Sequence, residues 1–426
     1  MNSVLLETKS SSMHSTKSYL VPFILVTSLF FLWAFVHNLE PILIPHLKKA
    51  CQLSDLQSAL IDSAVYIGYF LMALPAGLFM KKYGYKKGIL LGLILYAIGA
   101  LLFLPAASTR IYIFFLGALF IIASGCTFLE TAANPYVTIL GNPETATTRL
   151  NFSQSFNGLG AFLAPAIGGQ LILSGIEHSK EELASMNTNQ LNQYLQMEAD
   201  AVKVPYLIIA LAVLAVAVLI YFTAMPEVPA DEKNQKSGIA KAWRHSQLKW
   251  GVVAQFFYVG AQVCVTSFFI RFAKFTSGTP EKEAALWLGI AMFGFMVGRF
   301  AGTFLTKFIA PNKLLTIYSF ICALLLLIAT TIKSELAVWA LLAVPFFESI
   351  MFPTIFSLAI NDIKEDTEIG SSLVVMAIAG GAIFPLMMGL ISDNANIQIA
   401  YVVPLLCYFV IAWYGNRGYK SSTLKN

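Results

Sequence analysis

Charge is what this chain has least of. Asp, Glu, Lys and Arg make up 12% of its residues while 57% are hydrophobic, about half the charge that a soluble domain carries. So little polar surface could not cover the exterior of a soluble protein of this size, so the apolar residues must face lipid. Cysteine is scarce as well. The five present, Cys51, Cys126, Cys264, Cys322 and Cys407, share no metal-ligand spacing. Four fall inside apolar runs, which reads as small apolar packing rather than redox or disulfide chemistry. No metal motif, cofactor motif or nucleophile pattern is apparent, so neither a cofactor nor an enzymatic activity is expected. The net charge of +5 comes from lysines gathered in short connecting segments, which argues against a nucleic-acid partner. Long polar stretches are missing too. The two longest, 175–203 and 225–247, are too short for an appended signalling domain, which leaves a membrane-bound sensor a remote reading. Residues 1–18 show no cleavage pattern, so the first apolar run is expected to be a retained helix.

What the chain has is apolar runs of about twenty residues, the length that crosses a hydrocarbon core of about 30 Å as a helix. Twelve can be read, numbered here as spans 1 to 12: 19–45, 57–80, 87–107, 111–140, 148–174, 204–224, 248–273, 284–308, 313–331, 335–361, 369–391 and 398–415. The expectation is an all-α integral membrane protein of twelve transmembrane helices. It divides into a tail (1–18), a six-helix half (19–224), a linker (225–247), a second six-helix half (248–415) and a second tail (416–426). Basic residues set the sidedness. Of the 28, eighteen fall on the side of the termini, nine on the opposite side, and Arg299 lies within a span. That bias puts both termini and the linker in the cytoplasm of a multi-pass inner-membrane protein.

The halves resemble each other. Span 4 carries Glu130 with Pro135 five residues on, and span 10 carries Glu348 with Pro353 five residues on. Span 5 reads GAFLAPAIGG from Gly160 and span 11 reads GGAIFPLMMG from Gly380. In both, Gly is followed by Pro five later and by Gly four after that. Two such matches at corresponding spans indicate a 6+6 duplication with pseudo-symmetric halves. Parallel repeats with a central site at their interface are the major facilitator fold.

An ionisable residue at mid-bilayer costs about 2.5–3.5 kcal/mol on insertion scales, so each one needs a partner, a cavity or a task. Those within spans are His37, Glu40, Asp62, Glu130, Arg299 and Glu348. Glu130 shares a helix face with Asn134. It can load a proton from one side and release it to the other, or it can bridge helices as a permanently protonated acid. His37 and Glu40, three apart, share a face; they can exchange a proton or form a structural pair at the outer end of span 1. Asp62 can lie near water, cap a helix or take a part in transport. Span 5 offers Gln154 and Asn157, and span 7 offers Gln255, Tyr258 and Gln262 on one stripe. Amides and phenols both donate and accept, which suits a ligand covered with hydroxyls, though amides also bond helix to helix. Arg299 stands alone and reads as structural. Amides with a few acids fit a neutral polyhydroxy solute better than an anion.

Several stretches carry a more specific likeness: FFLWAFVHNLEPILIPHL from Phe30, YIGYFLMALPAGLFMKKYGYKKG from Tyr66, FLETAANPYVTILG from Phe128, RLNFSQSFNGLGA from Arg149, AQFFYVGAQ from Ala254 and FPTIFSLAI from Phe352. The chain resembles the L-fucose:proton symporter family of the major facilitator superfamily, which also holds glucose/galactose carriers. The resemblance implies a protonatable glutamate at Glu130 and sugar-contacting amides at Gln154, Asn157 and Asn38. It implies monosaccharide uptake coupled to protons or sodium, by a monomer whose partners are sugar, proton and lipid bilayer. There are three departures. The family's span 1 aspartate falls on Pro41, next to Glu40, which leaves Glu40 or His37 as a second proton-coupling candidate. The superfamily signature after Gly77 has Lys81 where an acid is usual, although Gly84, Lys86 and Lys87 remain. A tyrosine beside the span 10 proline is Phe352 here.

Overall fold

The computed structural model describes residues 19–141, 146–176, 178–226, 239–361, 363 and 366–420. Residues 1–18 of the first tail, 421–426 of the second and most of the expected linker, 227–238, lie outside the described residues. Every regular element described is helical. Among the described residues, eleven helices or helix pairs are long and apolar enough to cross a membrane. Span 5, Ala146–Ile172, is the remaining one, with 27 residues. At 1.5 Å per residue it is long enough to cross, but Thr, Arg, Asn, Ser and Gln crowd its first half and lower its hydropathy.

Several spans are broken, and prolines account for two of the breaks. Span 1 is two helices, Leu20–His37 and Glu40–Ala50. Pro41 has no N–H for the His37 carbonyl, so the ladder stops and Asn38 closes the first helix, its Nδ2 donating to Ala34 O at 2.8 Å. Span 10 is likewise divided into Glu335–Glu348 and Met351–Ala359, because Pro353 cannot serve the Ser349 carbonyl. Span 11 passes through a 3₁₀ turn, Ala377–Ala379, before Gly380–Asn394. Span 4, Tyr112–Ile139, stays continuous through Pro135.

The polar segment 175–203 is not a plain loop. It folds as two helices, Lys180–Ser185 and Thr188–Asp200, each opened by a capping box, at Ser179 and Asn187. Glu198 of the second is buried and accepts a hydrogen bond from Ser174.

Small residues let helices approach closely. A Cβ on Gly125 of span 4 would lie 2.6 Å from the Gly92 carbonyl and the Tyr96 nitrogen of span 3. The first half meets the second along two seams, span 5 on span 8 and span 2 on span 11. Both are tight at the same end. A Cβ on Gly169 would sit 2.5 Å from Ala285, one on Gly389 2.8 Å from the Asp55 carbonyl, and one on Gly381 2.7 Å from the Tyr66 ring. At the opposite end, neither Met351–Ala359 nor Thr367–Met376 packs extensively on the first half. Leu71, Leu74 and Leu78 of span 2 are exposed there. The two halves are closed at the Asp55 end and apart at the other.

Candidate functional site

The break in span 1 falls near the middle of Leu20–Ala50, and it brings His37 and Glu40 together. His37 Nδ1 lies 3.0 Å from Glu40 Oε1, and its Nε2 lies 3.1 Å from the Tyr66 hydroxyl. Glu40 is buried, whereas a third of the His37 side chain (34%) is accessible. Tyr69, one turn beyond Tyr66 on span 2, has its ring centroid 6.0 Å from that of His37. Its hydroxyl donates to Glu130 Oε1 at 3.5 Å, near the limit for a hydrogen bond. From Glu130 the polar line continues. Asn134 Nδ2 donates to the Glu130 carbonyl at 2.9 Å, and Gln154 Nε2 donates to Asn134 Oδ1 at 3.1 Å. Four spans thus contribute to one connected set: Glu40 and His37, Tyr66 and Tyr69, Glu130 and Asn134, and Gln154. A small cavity among Val36, His37, Glu40, Val65, Tyr69 and Cys126 adjoins it.

Other expected site residues are placed differently. Asn157 is half-buried and makes no side-chain hydrogen bond among the described residues. Asn38 donates its side-chain amide to the Ala34 carbonyl, which caps the first helix of span 1. The span 7 stripe divides. Gln262 is partly accessible, while Gln255 and Tyr258 are fully buried. Gln255 has neither amide atom bonded. The Tyr258 hydroxyl donates to the Glu348 carbonyl at 3.1 Å, and Arg299 Nε donates to the Ser349 carbonyl at 3.4 Å. Tyr258 and Arg299 therefore serve two carbonyls at the break in span 10, which gives Arg299 the structural task expected of it.

Asp62 departs from the expectation of a water-facing or capping acid. It is fully buried and accepts a 2.8 Å hydrogen bond from Ser267 of span 7. Toward the Asp55 end from that contact, charged groups join the halves. The Asp55 carboxylate accepts from Lys48, Arg271 and Ser392. Asp393 accepts from the Asp55 and Leu56 amides at 2.7 and 2.9 Å, and Glu281 pairs with Lys49 and Lys274. This network, with Tyr66 and Tyr69, was not foreseen from sequence. For the tyrosines, the available signal was hydroxyls three apart on span 2; for the network, partners up to 338 residues apart left none.

Two six-helix bundles meeting over a buried polar line, with one end sealed and the other apart, define a multi-pass membrane carrier of small solutes. The sequence matches the Major Facilitator Superfamily profile over residues 23–384, and the chain belongs to that superfamily, within its group of fucose and glucose/galactose carriers. It is 44% identical over 412 residues to the "Glucose/galactose transporter" of Brucella abortus, covering 96% of each chain. It is 43% identical over 420 residues to the "L-fucose-proton symporter" of Escherichia coli K12, covering 96% of this chain and 95% of that one. A solved structure of the superfamily transporter FucP, in the outward conformation, aligns with 94% of this chain and 99% of its own at 43% identity, with a TM-score of 0.69. The chain is a sugar transporter.

Proposed function

We propose that the chain is a symporter that imports a neutral monosaccharide with protons, L-fucose first among the candidates, by rocking its halves (19–224 and 248–415) about the central site. The observation that carries this is the connected line from Glu40 and His37 through Tyr66, Tyr69 and Glu130 to Asn134 and Gln154. It joins proton-holding groups to amides in a single interior site. Glu130 carries the coupling proton, with Glu40 and His37 as the second group. Asn38, Gln154, Asn157 and Gln262 hold sugar hydroxyls. Gln255 and Tyr258 join them only when the second half rearranges. The absence of any cluster of basic residues among these groups favours a neutral solute over an anion.

The positive-inside bias supports cytoplasmic termini in an inner membrane, with the Asp55 end outside. The arrangement described is then closed to the outside. A TM-score of 0.69 at 43% identity fits two similar halves set at a different mutual angle from the outward FucP structure. A monomer suffices, because the site lies within one chain. The likeness to the Brucella carrier favours a second reading, a glucose/galactose carrier coupled to protons or sodium.

Reconstituted protein, given labelled L-fucose, galactose and glucose under an imposed proton gradient and separately a sodium gradient, decides between these readings. Accumulation of L-fucose that collapses with a protonophore supports the first. Sodium-driven accumulation, or preference for glucose or galactose, establishes the second. No accumulation of any of the three overturns both.

A further inference from the structure

The proton site and the outer seam share one side chain. Tyr66 bonds His37 Nε2 through its hydroxyl at 3.1 Å, and the flat of its ring lies on Gly381 of span 11, in the opposite half. A Cβ built on Gly381 would stand 2.7 Å from two of the ring carbons. One turn nearer the outside, Ser63 Oγ donates to the Ala382 carbonyl at 2.7 Å. One residue beyond that, Asp62 accepts from Ser267. Tyr66 is only 6% exposed, although His37 beneath it is a third accessible. The order from the sealed end inward is thus Asp62, Ser63, Tyr66 on Gly381, then His37 and Glu40.

We propose that Tyr66 seated on Gly381 is the outer plug of the proton site, and that Tyr66 is a positioning residue tying closure of the outer seam to the hydrogen bond on His37. The proposal rests on the reading of His37 and Glu40 as part of the coupling site. With the halves closed, the ring shields the His37–Glu40 pair from the outside and the hydroxyl holds the imidazole in register with Glu40. When span 11 withdraws, the ring loses its seat and outside water reaches the pair. Glycine at 381 is what permits the seat, since any side chain there would wedge spans 2 and 11 apart. Besides Tyr66, the groups facing His37 are Glu40 of its own span, Tyr69 of span 2, and Glu130 and Cys126 of span 4, with Asp62 further along span 2. From span 11, Gly381 and the Ala382 carbonyl meet span 2 at the seat.

The test uses full-length carrier bearing Cys51→Ser in intact cells, with the native Cys126, which lines the cavity beside His37, as a reporter of outside access past Tyr66 and a membrane-impermeant maleimide as probe. Adding Gly381→Ala should raise the labelling rate of that cysteine by about tenfold, because the added methyl overlaps the ring and shifts the population toward the open seam. Tyr66→Ala, which removes the plug from the other side, should do the same, and it stands in if Gly381→Ala does not fold. Tyr66→Phe keeps the ring and loses the hydroxyl. It should label as slowly as the reporter alone while displacing the pH optimum of sugar uptake. Unchanged labelling in both Gly381→Ala and Tyr66→Ala overturns the plug. A wild-type pH profile in Tyr66→Phe overturns the positioning role. Either failure leaves the sugar-symport reading standing, whereas failed sugar uptake by the unmodified carrier removes that reading and leaves the labelling result interpretable.

Discussion

Glu130 and Glu348 occupy equivalent places in the two repeats, each five residues before a proline, yet their surroundings assign them different work. Glu130 is half-buried beside Tyr69 and one turn from Asn134. Glu348 is fully buried and turns into the second half, where Tyr408 donates to its Oε1 and its Oε2 is unbonded. A carboxyl that exchanges protons with solvent must be accessible, and of the pair Glu130 is the partly accessible one while Glu348 is sealed. Glu130→Gln is therefore expected to abolish proton-driven accumulation while sparing exchange of internal for external sugar, measured as counterflow in proteoliposomes. Glu348→Gln keeps the shape and the tyrosine contact and is expected to leave the coupling ratio unchanged, measured as protons moved per sugar. The repeat was readable in the sequence; the divergence was not, because it depends on which neighbour each helix face meets.

Among the elements, the broken spans show how much a proline can decide. Spans 1 and 10 read in the sequence as continuous through Pro41 and Pro353, but the breaks fall where the missing N–H groups of those prolines leave carbonyls unserved. What serves those carbonyls was not visible. Arg299 comes from span 8, fifty residues away from Ser349, and nothing in its local sequence points to that partner. Because a hydrogen bond from a charged donor is worth about 1.5–3 kcal/mol, Arg299→Leu is expected to cost about that much in the stability of detergent-solubilised protein. In a Pro353→Ala background the alanine N–H serves the Ser349 carbonyl itself, so the same substitution should cost clearly less. Equal costs in the two backgrounds, read from thermal unfolding, would remove the capping role. The helices in 175–203 escaped the sequence reading for a related reason: they are polar and short, and only their capping boxes marked them.

For the molecule as a whole, twelve spans, two halves and the family were legible, because lipid enforces helix length and apolarity and the duplication left matching glycines and prolines. The state of the molecule was not legible, because it depends on contacts between residues far apart in sequence. Those contacts gather on Asp55, which joins Lys48 of its own half to Arg271 and Ser392 of the other. Asp55→Asn weakens these charge-assisted bonds and should shift the population toward an open Asp55 end. Spin labels on the outer ends of spans 2 and 8 would report this as a longer distance distribution. An unchanged distribution would mean that the glycine-lined seams alone hold that end closed.

The proline at position 41 also bears on how the carrier senses voltage. With Pro41 breaking span 1, Glu40 lies 3.0 Å from the His37 imidazole, so its charge belongs to a pair. Whichever partner holds their shared proton, the pair sums to zero and couples to the membrane field only as a dipole. On the proposed reading, and while the His37–Glu40 pair keeps its one proton, the net charge these three groups carry across the field as the empty carrier returns is that of Glu130. With one elementary charge worth about 2.3 kcal/mol per 100 mV, an inside-negative membrane drives the empty site outward through that single carboxylate. The return of the empty carrier is where a current recording should find the voltage dependence.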